Sequence, residues 1–439
     1  MKRKASEFLS QWDLEKNRKP LLIRGARQVG KTYLVEDLAK KFESFVLIDF
    51  ELEPKYKACF ESLHPQEIID GIAFLNHQMI TPGKTLLFLD EIQACPKALT
   101  ALRYFREKMP ELHVIAAGSL LEFAIQHEAI SMPVGRIEYL YLYPCTFEEY
   151  LEAMEPRNVA LLSQLNLQNK PSSVIHEALL ASFKTYMITG GMPEALQTYL
   201  TEKDLYKVQR VQNMILQTYR DDFGKYATKA QHPHLQMIYD KAPGLVGSQV
   251  TFSKIDPDSR SRDLKKAIQL LEYAGLVKQI FASAGSGLPL ASTVNDKKFK
   301  LQFLDIGLMQ RASGLPADFL LSSGMHKLNE GALAEQVVGQ LLLAHQDCCS
   351  AGLLYFWARD YQNSQAEVDF LMNLEGRIFP IEVKSSPNGR LKSLKIFLEE
   401  RSLPLGIKIS AAPLSYEAPV LNVPFYLIGQ LGRILKESF

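Results

Sequence analysis

The first 150 residues contain short, continuous runs of apolar residues that alternate with stretches of helical periodicity. Continuous apolar runs are typical of strands that are buried on both faces of a parallel sheet. Strands that alternate with helices along the chain predict an α/β fold with a parallel sheet and covering helices. The runs are PLLIRGA (20–26), SFVLIDF (44–50), TLLFLDE (85–91) and HVIAAGS (113–119).

The pattern is helical from Phe147 to about Thr228, with one polar interruption, NLQNKPSS (166–173), that predicts a loop. Another helix is predicted over 262–277, where Gly275 has the position of a helix stop. Two apolar segments then predict a hairpin, and a helix followed by a two-stranded wing indicates a winged helix. The apolar residues of that helix recur at helical spacing: Leu264, Ile268, Leu271 and Ala274.

The last hundred or so residues predict a mixed α/β unit. Its opening helix is EGALAEQVVGQLLLAH (330–345), and a second helix, LKSLKIFLEE, covers 391–400. Strands are predicted at LYFWAR (354–359), EVDFLMN (367–373), IFPIEVK (378–384) and VPFYLIG (423–429).

Composition limits the partners and the compartment. The 439 residues suggest about three domains. Lys and Arg number 50 against 49 Asp and Glu, so any role with nucleic acid must depend on a local basic patch. Five cysteines without a CxxC pair favour a reducing compartment. No run approaches the roughly 20 apolar residues that span a bilayer, so we expect a cytoplasmic protein without a membrane partner.

Residues 25–32 match the phosphate-binding pattern GxxxxGK[ST] in full, between an apolar strand and an amphipathic helix. In this pattern glycines let backbone N–H groups wrap the phosphates of a nucleotide. The lysine then reaches the β- and γ-phosphates and the threonine hydroxyl ligates Mg²⁺. The sequence therefore predicts ATP and Mg²⁺ as cofactors, bound by Gly25, Ala26, Arg27, Gln28, Val29, Gly30, Lys31 and Thr32.

Paired acids, Asp90 and Glu91, end the buried strand 85–91. Carboxylates at the carboxyl edge of a parallel sheet meet the ligand, so we expect Asp90 to hold the Mg²⁺ and Glu91 to orient or deprotonate the attacking water. The alternative is a pair of solvated acids. Ser119 ends the next strand and contacts the γ-phosphate or caps a helix. Arg136 supplies transition-state charge, in its own subunit or across a boundary, or is an ordinary surface arginine.

These motifs occur in an ordered series that resembles a widespread group of bacterial and archaeal AAA-type ATPases. In that group a P-loop domain precedes a winged helix and a C-terminal restriction-endonuclease-like (PD-(D/E)xK) domain. The matching segments include RGARQVGKT (24–32), LFLDEIQ (87–93), AAGSLLEF (116–123), GRIEYLYLYPCTFEEYL (135–151), YMITGGMPEAL (186–196), FLDIGL (303–308) and EGALAEQVV (330–338).

The resemblance covers nearly the whole chain and implies four units. They are a P-loop AAA-like core (1–155), a helical lid (156–228), a winged helix (229–315) and an endonuclease-like α/β domain (325–439). One departure is the wing tip at 282–294, which has no basic residue and so puts contact between the wing and nucleic acid in doubt.

A second group of candidate residues lies in the last unit, where Asp369, Glu382 and Lys384 form the pattern D…ExK and Glu335 lies on the helix before them. Glu382 and Lys384 alternate onto one face of a strand. Carboxylates gathered in an endonuclease-like fold bind Mg²⁺, and the lysine helps to activate water for phosphodiester attack. Ordinary surface Glu–Lys pairs have the same spacing, and a fold does not by itself confer an activity.

The sequence thus predicts an ATP-driven conformational machine whose C-terminal units receive the motion, with DNA as the target. One alternative is a nucleotide-gated regulatory switch with a catalytically silent C-terminal domain. Another is an assembly protein whose winged helix binds a protein partner or a second copy of the chain. The residues that would meet DNA phosphates are Arg260, Arg262, Lys265 and Lys266, which also fit a solvated helix face.

Overall fold

The computed structural model describes residues 1–119, 121, 123, 132–133, 135–228, 230–316, 330–359, 366–385 and 391–439, and gives backbone alone for 226 and 330. Part of the segment AAGSLLEF (116–123) and the predicted start of the last unit at 325 lie outside these ranges. None of the helices within the described ranges has the length and apolar character that crossing a lipid bilayer requires.

A five-stranded parallel sheet organises the N-terminal part of the chain, in the order β2-β3-β4-β1-β5. The strands are β1 (Leu21–Arg24), β2 (Ser44–Asp49), β3 (Thr85–Asp90), β4 (His113–Gly118) and β5 (Glu138–Tyr141). The accompanying helices are α1 (Ala5–Leu14), α2 (Lys31–Ala39), α3 (Pro65–Asn76) and α4 (Pro96–Lys108), with short 3₁₀ helices at Pro54–Phe60 and Ile92–Ala94.

The continuous apolar runs correspond to β1 to β4, which confirms the predicted α/β fold with a parallel sheet. Every residue of β3 and β4 is buried, because both faces of these central strands are covered. The edge strand β5 was not among the predicted runs. Its burial is uneven, since only Leu140 of its four residues is fully enclosed.

A helical region follows the parallel sheet, as the periodicity predicts. Residues 165–172 lie outside the helices, so the polar stretch is the expected interruption. The helices are α5 (Phe147–Met154), α6 (Pro156–Gln164), α7 (Ser173–Thr189), α8 (Pro193–Glu202), α9 (Leu205–Asp221), α10 (Phe223–Tyr226), α11 (His232–Leu245) and α12 (Phe252–Ile255).

The helix predicted over 262–277 is α13 (Ser261–Tyr273), and Gly275 follows it with a φ of 74°, the left-handed conformation of a helix stop. The predicted hairpin consists of β6 (Val277–Ser283) and β7 (Val294–Phe303), which pair antiparallel. A short helix, α14 (Ile306–Ala312), comes after it.

A separate mixed sheet of eight strands occupies the C-terminal part, in the order β12-β13-β11-β10-β9-β8-β6-β7. The hairpin belongs to this sheet, because β6 pairs in parallel with β8. Its other elements are α15 (Glu330–Ala344), β8 (Tyr355–Ala358), β9 (Glu367–Leu374), β10 (Arg377–Lys384), α16 (Lys392–Arg401), β11 (Gly406–Ser410), β12 (Ser415–Glu417), β13 (Val420–Pro424) and α17 (Leu431–Ser438).

The prediction of a strand at 423–429 is wrong over most of its length. Strand β13 ends at Pro424, and Phe425–Gln430 is a 3₁₀ helix. The Phe425 ring stacks on Phe183 of α7 at 5.7 Å between centroids, and the Tyr426 hydroxyl lies 2.8 Å from His176 Nδ1. The run is apolar because it is enclosed by helices on several sides, and a uniformly apolar run does not distinguish a buried strand from a buried helical turn.

Candidate functional site

The loop at 25–32 has the backbone that phosphate binding requires. Gly25 and Gly30 have φ angles of 154° and 93°, which are conformations that side chains rarely permit. A Cβ atom at Gly25 would also lie 2.3 Å from the carbonyl oxygen of Leu142, so the close approach of the loop to this neighbouring segment depends on glycine. The loop leads into α2 at Lys31, which places a helix N-terminus beside the loop.

Lys31 is almost fully buried inside this loop. Its ammonium donates to the carbonyl oxygens of Gly25 at 3.1 Å and Ala26 at 2.9 Å. Burial lowers the pKa of Lys31 from 10.5 to about 8, although the charges of Glu91 and Asp90 act in the opposite direction. A desolvated ammonium among backbone oxygens is a cation that a phosphate group would stabilise.

Thr32 and Asp90 bring the loop and the end of β3 together. The Thr32 hydroxyl donates to Asp90 Oδ2 at 2.8 Å, and the backbone N–H of Glu91 donates to Asp90 Oδ1 at 2.9 Å. Burial raises the pKa of Asp90, and these two hydrogen bonds partly offset that effect. A hydroxyl beside a carboxylate is an oxygen donor set of the kind that Mg²⁺ takes in nucleotide sites, so these residues fit that ion.

Glu91 is held at the same edge of the sheet in a left-handed conformation, with a φ of 48°. Its Oε2 accepts from Gln93 Nε2 at 2.6 Å and from Ser119 Oγ at 3.3 Å. The structure therefore brings Ser119, which directly follows β4, into contact with the predicted catalytic acid. Gln93 is a contact that the sequence reasoning missed.

Arg27 connects this group to the helical region, and the sequence reasoning placed it only in the phosphate-binding loop. Its guanidinium donates to Ser119 Oγ at 3.2 Å and to Asp222 Oδ2 at 2.5 Å, and lies 4.0 Å from Glu91. The Tyr219 hydroxyl of α9 donates to the Arg27 carbonyl at 2.8 Å. No local motif signals the partner of Arg27, because Asp222 is 195 positions away along the chain.

Arg136 lies in a different environment. Its Nε donates to Glu107 at 2.9 Å on α4, and half of its side-chain surface is exposed. This surface ion pair is the interaction that the structure gives for Arg136. A contribution of Arg136 to the site of another subunit stays a prediction.

The four residues predicted as a nuclease site also lie in one neighbourhood, but they are organised by a lysine that the sequence reasoning missed. Lys384 Nζ lies 2.6 Å from Glu382 Oε1, and Asp369 Oδ2 accepts the N–H of Val383 at 2.7 Å. Glu335 contacts Lys300 of β7 at 2.8 Å. Lys300 lies between Phe299 and Leu301 in a segment that alternates apolar and polar residues, so no local signal in the sequence shows that its side chain is buried.

These carboxylates do not fit a metal ion in the observed arrangement. Within the described ranges, only Asp347, Cys348 and Cys349 bring three potential ligand atoms within 4.8 Å of one another. Burial raises the pKa of Glu335 and of Glu382 to about 7, although the charges of Lys300 and Lys384 act in the opposite direction.

A phosphate-binding loop after β1 and paired acids at the end of β3, on a parallel sheet in the order β2-β3-β4-β1-β5, define a P-loop domain. Residues 17–151 match the family described as "AAA domain". Residues 180–318 and 330–418 each match a family described as a domain of unknown function, DUF8612 and DUF4143 respectively. No curated protein matches the chain.

Several solved structures are similar in part. The Walker-type ATPase PABY2304 of Pyrococcus abyssi is 16% identical with a TM-score of 0.45, over 71% of this chain and 95% of that one. The Aeropyrum pernix ORC1 protein, solved in complex with DNA, is 13% identical with a TM-score of 0.31, over 72% and 92%. Protein VC1899 from Vibrio cholerae is 10% identical with a TM-score of 0.20, over 95% and 98%. We draw no conclusion on function from likenesses this distant.

Proposed function

We propose that the N-terminal core binds ATP with Mg²⁺ and hydrolyses it, and that the nucleotide state controls the helical and C-terminal parts of the chain. The observation that carries this proposal is the 2.8 Å hydrogen bond between Thr32 and Asp90. It joins two residues from separate motifs, 58 positions apart, in the arrangement that a nucleotide-bound Mg²⁺ needs.

Each residue of the site has a distinct role in this proposal. Lys31 binds the β- and γ-phosphates, while Thr32 and Asp90 hold the Mg²⁺, which neutralises phosphate charge when bound. Glu91 orients or deprotonates the attacking water. Ser119 and Gln93 fix the Glu91 carboxylate through the hydrogen bonds described above.

Arg27 is the residue that we expect to report the nucleotide state. Its guanidinium is shared between Ser119 and Glu91 at the site and Asp222 at the end of α9. A γ-phosphate beside the loop would compete with these acids for the guanidinium, because phosphate is a strong partner for arginine. A change in the Arg27–Asp222 ion pair would then move α9 relative to the loop.

The first experiment separates binding from hydrolysis. Lys31→Ala should abolish ATP binding, because it removes the buried cation of the loop. Glu91→Gln should retain ATP but lose turnover, since the amide cannot accept a proton. Fluorescent-nucleotide titration and phosphate release measure the two properties. Unchanged nucleotide affinity in Lys31→Ala would remove the proposed site, and normal turnover in Glu91→Gln would assign the catalytic role elsewhere.

A role in DNA binding is favoured by one further observation, the exposed basic face of α13. Arg260 directly precedes this helix, its first two turns carry Arg262, Lys265 and Lys266, and all four side chains are exposed. A helix with this charge pattern can neutralise DNA phosphates with release of counterions.

DNA binding through α13 should be strongly dependent on salt. The slope of log affinity against log salt concentration is negative, and each phosphate contact contributes about 0.9 to its magnitude. The double variant Lys265→Gln/Lys266→Gln should therefore reduce that magnitude by roughly 2. Lys16→Gln/Lys170→Gln is the matched control, because it removes the same charge from exposed positions elsewhere. Anisotropy of labelled duplex DNA provides the measurement. Equal slopes in both variants would favour a protein partner or a second copy of the chain.

A further inference from the structure

Lys300 is a charged residue in one of the most enclosed positions of the C-terminal part, with only 1% of its side chain exposed. Its ammonium lies 2.8 Å from Glu335, 2.6 Å from Glu367 and 3.7 Å from Asp369. The ring of Phe356 covers it at 5.2 Å. A buried ammonium surrounded by three carboxylates occupies the position that a bound cation would take.

The position of Lys300 is fixed by the elements on both sides. Strand β7 is tied to α15, because Gln302 Nε2 donates to the Gln336 carbonyl at 2.5 Å and Phe303 N–H donates to Gln336 Oε1 at 2.8 Å. Lys300 therefore enters the group of acids from a strand that is hydrogen-bonded to the helix carrying Glu335. Its ammonium is held among these acids by the ion pairs with Glu335 and Glu367.

Among the described residues, this group contains more carboxyl groups than ammonium groups. Four carboxyl groups, of Glu335, Glu367, Asp369 and Glu382, surround the two ammonium groups of Lys300 and Lys384. Glu382 is 95% buried, yet its Oε2 has no hydrogen-bond partner among the described residues. A buried, unpartnered carboxyl oxygen is costly, and it is a potential ligand atom for a divalent cation once the Lys300 ammonium is removed.

We propose that the Lys300 ammonium occupies a potential divalent-cation site formed by these carboxyl groups. Its presence there prevents a metal ion from binding. The ammonium supplies the charge that Mg²⁺ or Mn²⁺ would otherwise supply, so the C-terminal unit does not bind a divalent ion while Lys300 is in place. A lysine cannot polarise water or a phosphodiester as a divalent cation does. The unit is therefore silent as a nuclease in this arrangement, and its acids serve to hold the hairpin on the sheet.

The test is Mn²⁺ binding without nucleotide, followed by electron paramagnetic resonance of the free ion. Lys300→Met keeps an unbranched side chain, one heavy atom shorter, and removes its charge. It should raise Mn²⁺ affinity by about tenfold or more, with one added ion per chain. Adding Asp369→Asn to Lys300→Met should abolish binding of that added ion. This loss distinguishes an ion at this cluster from an ion at the phosphate-binding loop. The matched control is Lys297→Met, an exposed lysine on the same strand, which should bind no added Mn²⁺.

Two results would overturn the proposal. In the first, the wild-type protein binds an Mn²⁺ ion at this cluster, and Asp369→Asn abolishes that binding. Lys300 would then not prevent a metal ion from binding. The other is a folded Lys300→Met that gains no ion, since no such site would exist. Far-ultraviolet circular dichroism and the apparent Tm of the whole chain report whether each variant is folded. If Lys300→Met does not fold, Lys300→Met/Glu335→Gln removes one charge of each sign, and the same gain of Mn²⁺ binding is expected from the remaining acids.

Discussion

Lys31 is held as a cation in a nearly dry site, with two backbone carbonyl oxygens as its hydrogen-bond acceptors. Desolvation disfavours its charged form, which is why its pKa falls to about 8. Nucleotide phosphates would restore the charged form by direct attraction. Binding of ATP above pH 8 should therefore be accompanied by uptake of a proton at Lys31.

The affinity for ATP should consequently depend on pH. We expect a constant affinity below about pH 8, where Lys31 is already charged, and a decrease of up to tenfold per pH unit above it. The terminal phosphate titrates near pH 6, so it contributes little in this range. Fluorescent-nucleotide titrations from pH 7 to 9.5 measure the profile. Lys31→Arg, which stays charged, should give a weaker but flat profile. A flat wild-type profile would contradict the expectation.

At the scale of elements, α9 reaches the site through its C-terminal end. Tyr219 contacts the Arg27 backbone, and Asp222, which directly follows α9, accepts from the Arg27 guanidinium at 2.5 Å. Periodicity predicts a helical region here but does not show which end of which helix meets the loop. The contact depends on how α9 packs against α7, α8 and α14.

Asp222→Asn tests this connection between α9 and the loop. Removal of the carboxylate charge leaves Arg27 available for the nucleotide phosphates, so ATP affinity should rise by about fivefold, or about 1 kcal/mol. Turnover should fall, since Arg27 would be less restrained near Glu91. The neighbouring Asp221→Asn is the control, because Asp221 is exposed and accepts from Gln217 instead. Equal ATP affinities in the two variants would show that the ion pair does not influence the nucleotide site.

At the scale of the whole molecule, one buried carboxylate joins three parts of the chain. Asp305, between the hairpin and α14, accepts from the Gly191 N–H at 2.6 Å and from Gln340 of α15 at 3.0 Å. It also caps α14 by accepting from the Leu308 N–H at 3.1 Å. Gly191 in turn accepts from the Cys145 N–H at 2.7 Å, which extends the connection to the segment after β5. The helical region and both sheets thus meet at this junction.

Asp305→Asn should weaken the molecule as a whole. The amide would present N–H groups to the N–H donors that the carboxylate accepts, which leaves buried donors unsatisfied at a cost of about 1 to 3 kcal/mol each. We expect the apparent Tm to fall by roughly 5 °C or more. Differential scanning fluorimetry measures it, with the exposed Asp258→Asn as the control. A Tm within one degree of that control would contradict the role of this junction.

The chain sequence alone was sufficient for the strands β1 to β4 of the parallel sheet and for the expectation that Lys31, Thr32, Asp90 and Glu91 lie together. These features are local: a buried strand needs a continuous apolar run, and a phosphate-binding loop needs its glycines, lysine and threonine at fixed spacing. The same locality made the helix α13 and the hairpin predictable. The strand predicted at 423–429 was wrong because burial on every side removes the periodicity that distinguishes strand from helix.

Tertiary structure alone decided the partners of the charged groups. Arg27 meets Asp222, and Lys300 meets Glu335 and Glu367, across long separations in the chain. Such pairs have no spacing rule, because they depend on how helices and strands that are distant in sequence pack together. The sequence therefore predicted which residues form the phosphate-binding loop, whereas packing determined which ammonium group lies among the C-terminal acids, since a charged group takes its partner from whatever the fold places within a few ångströms.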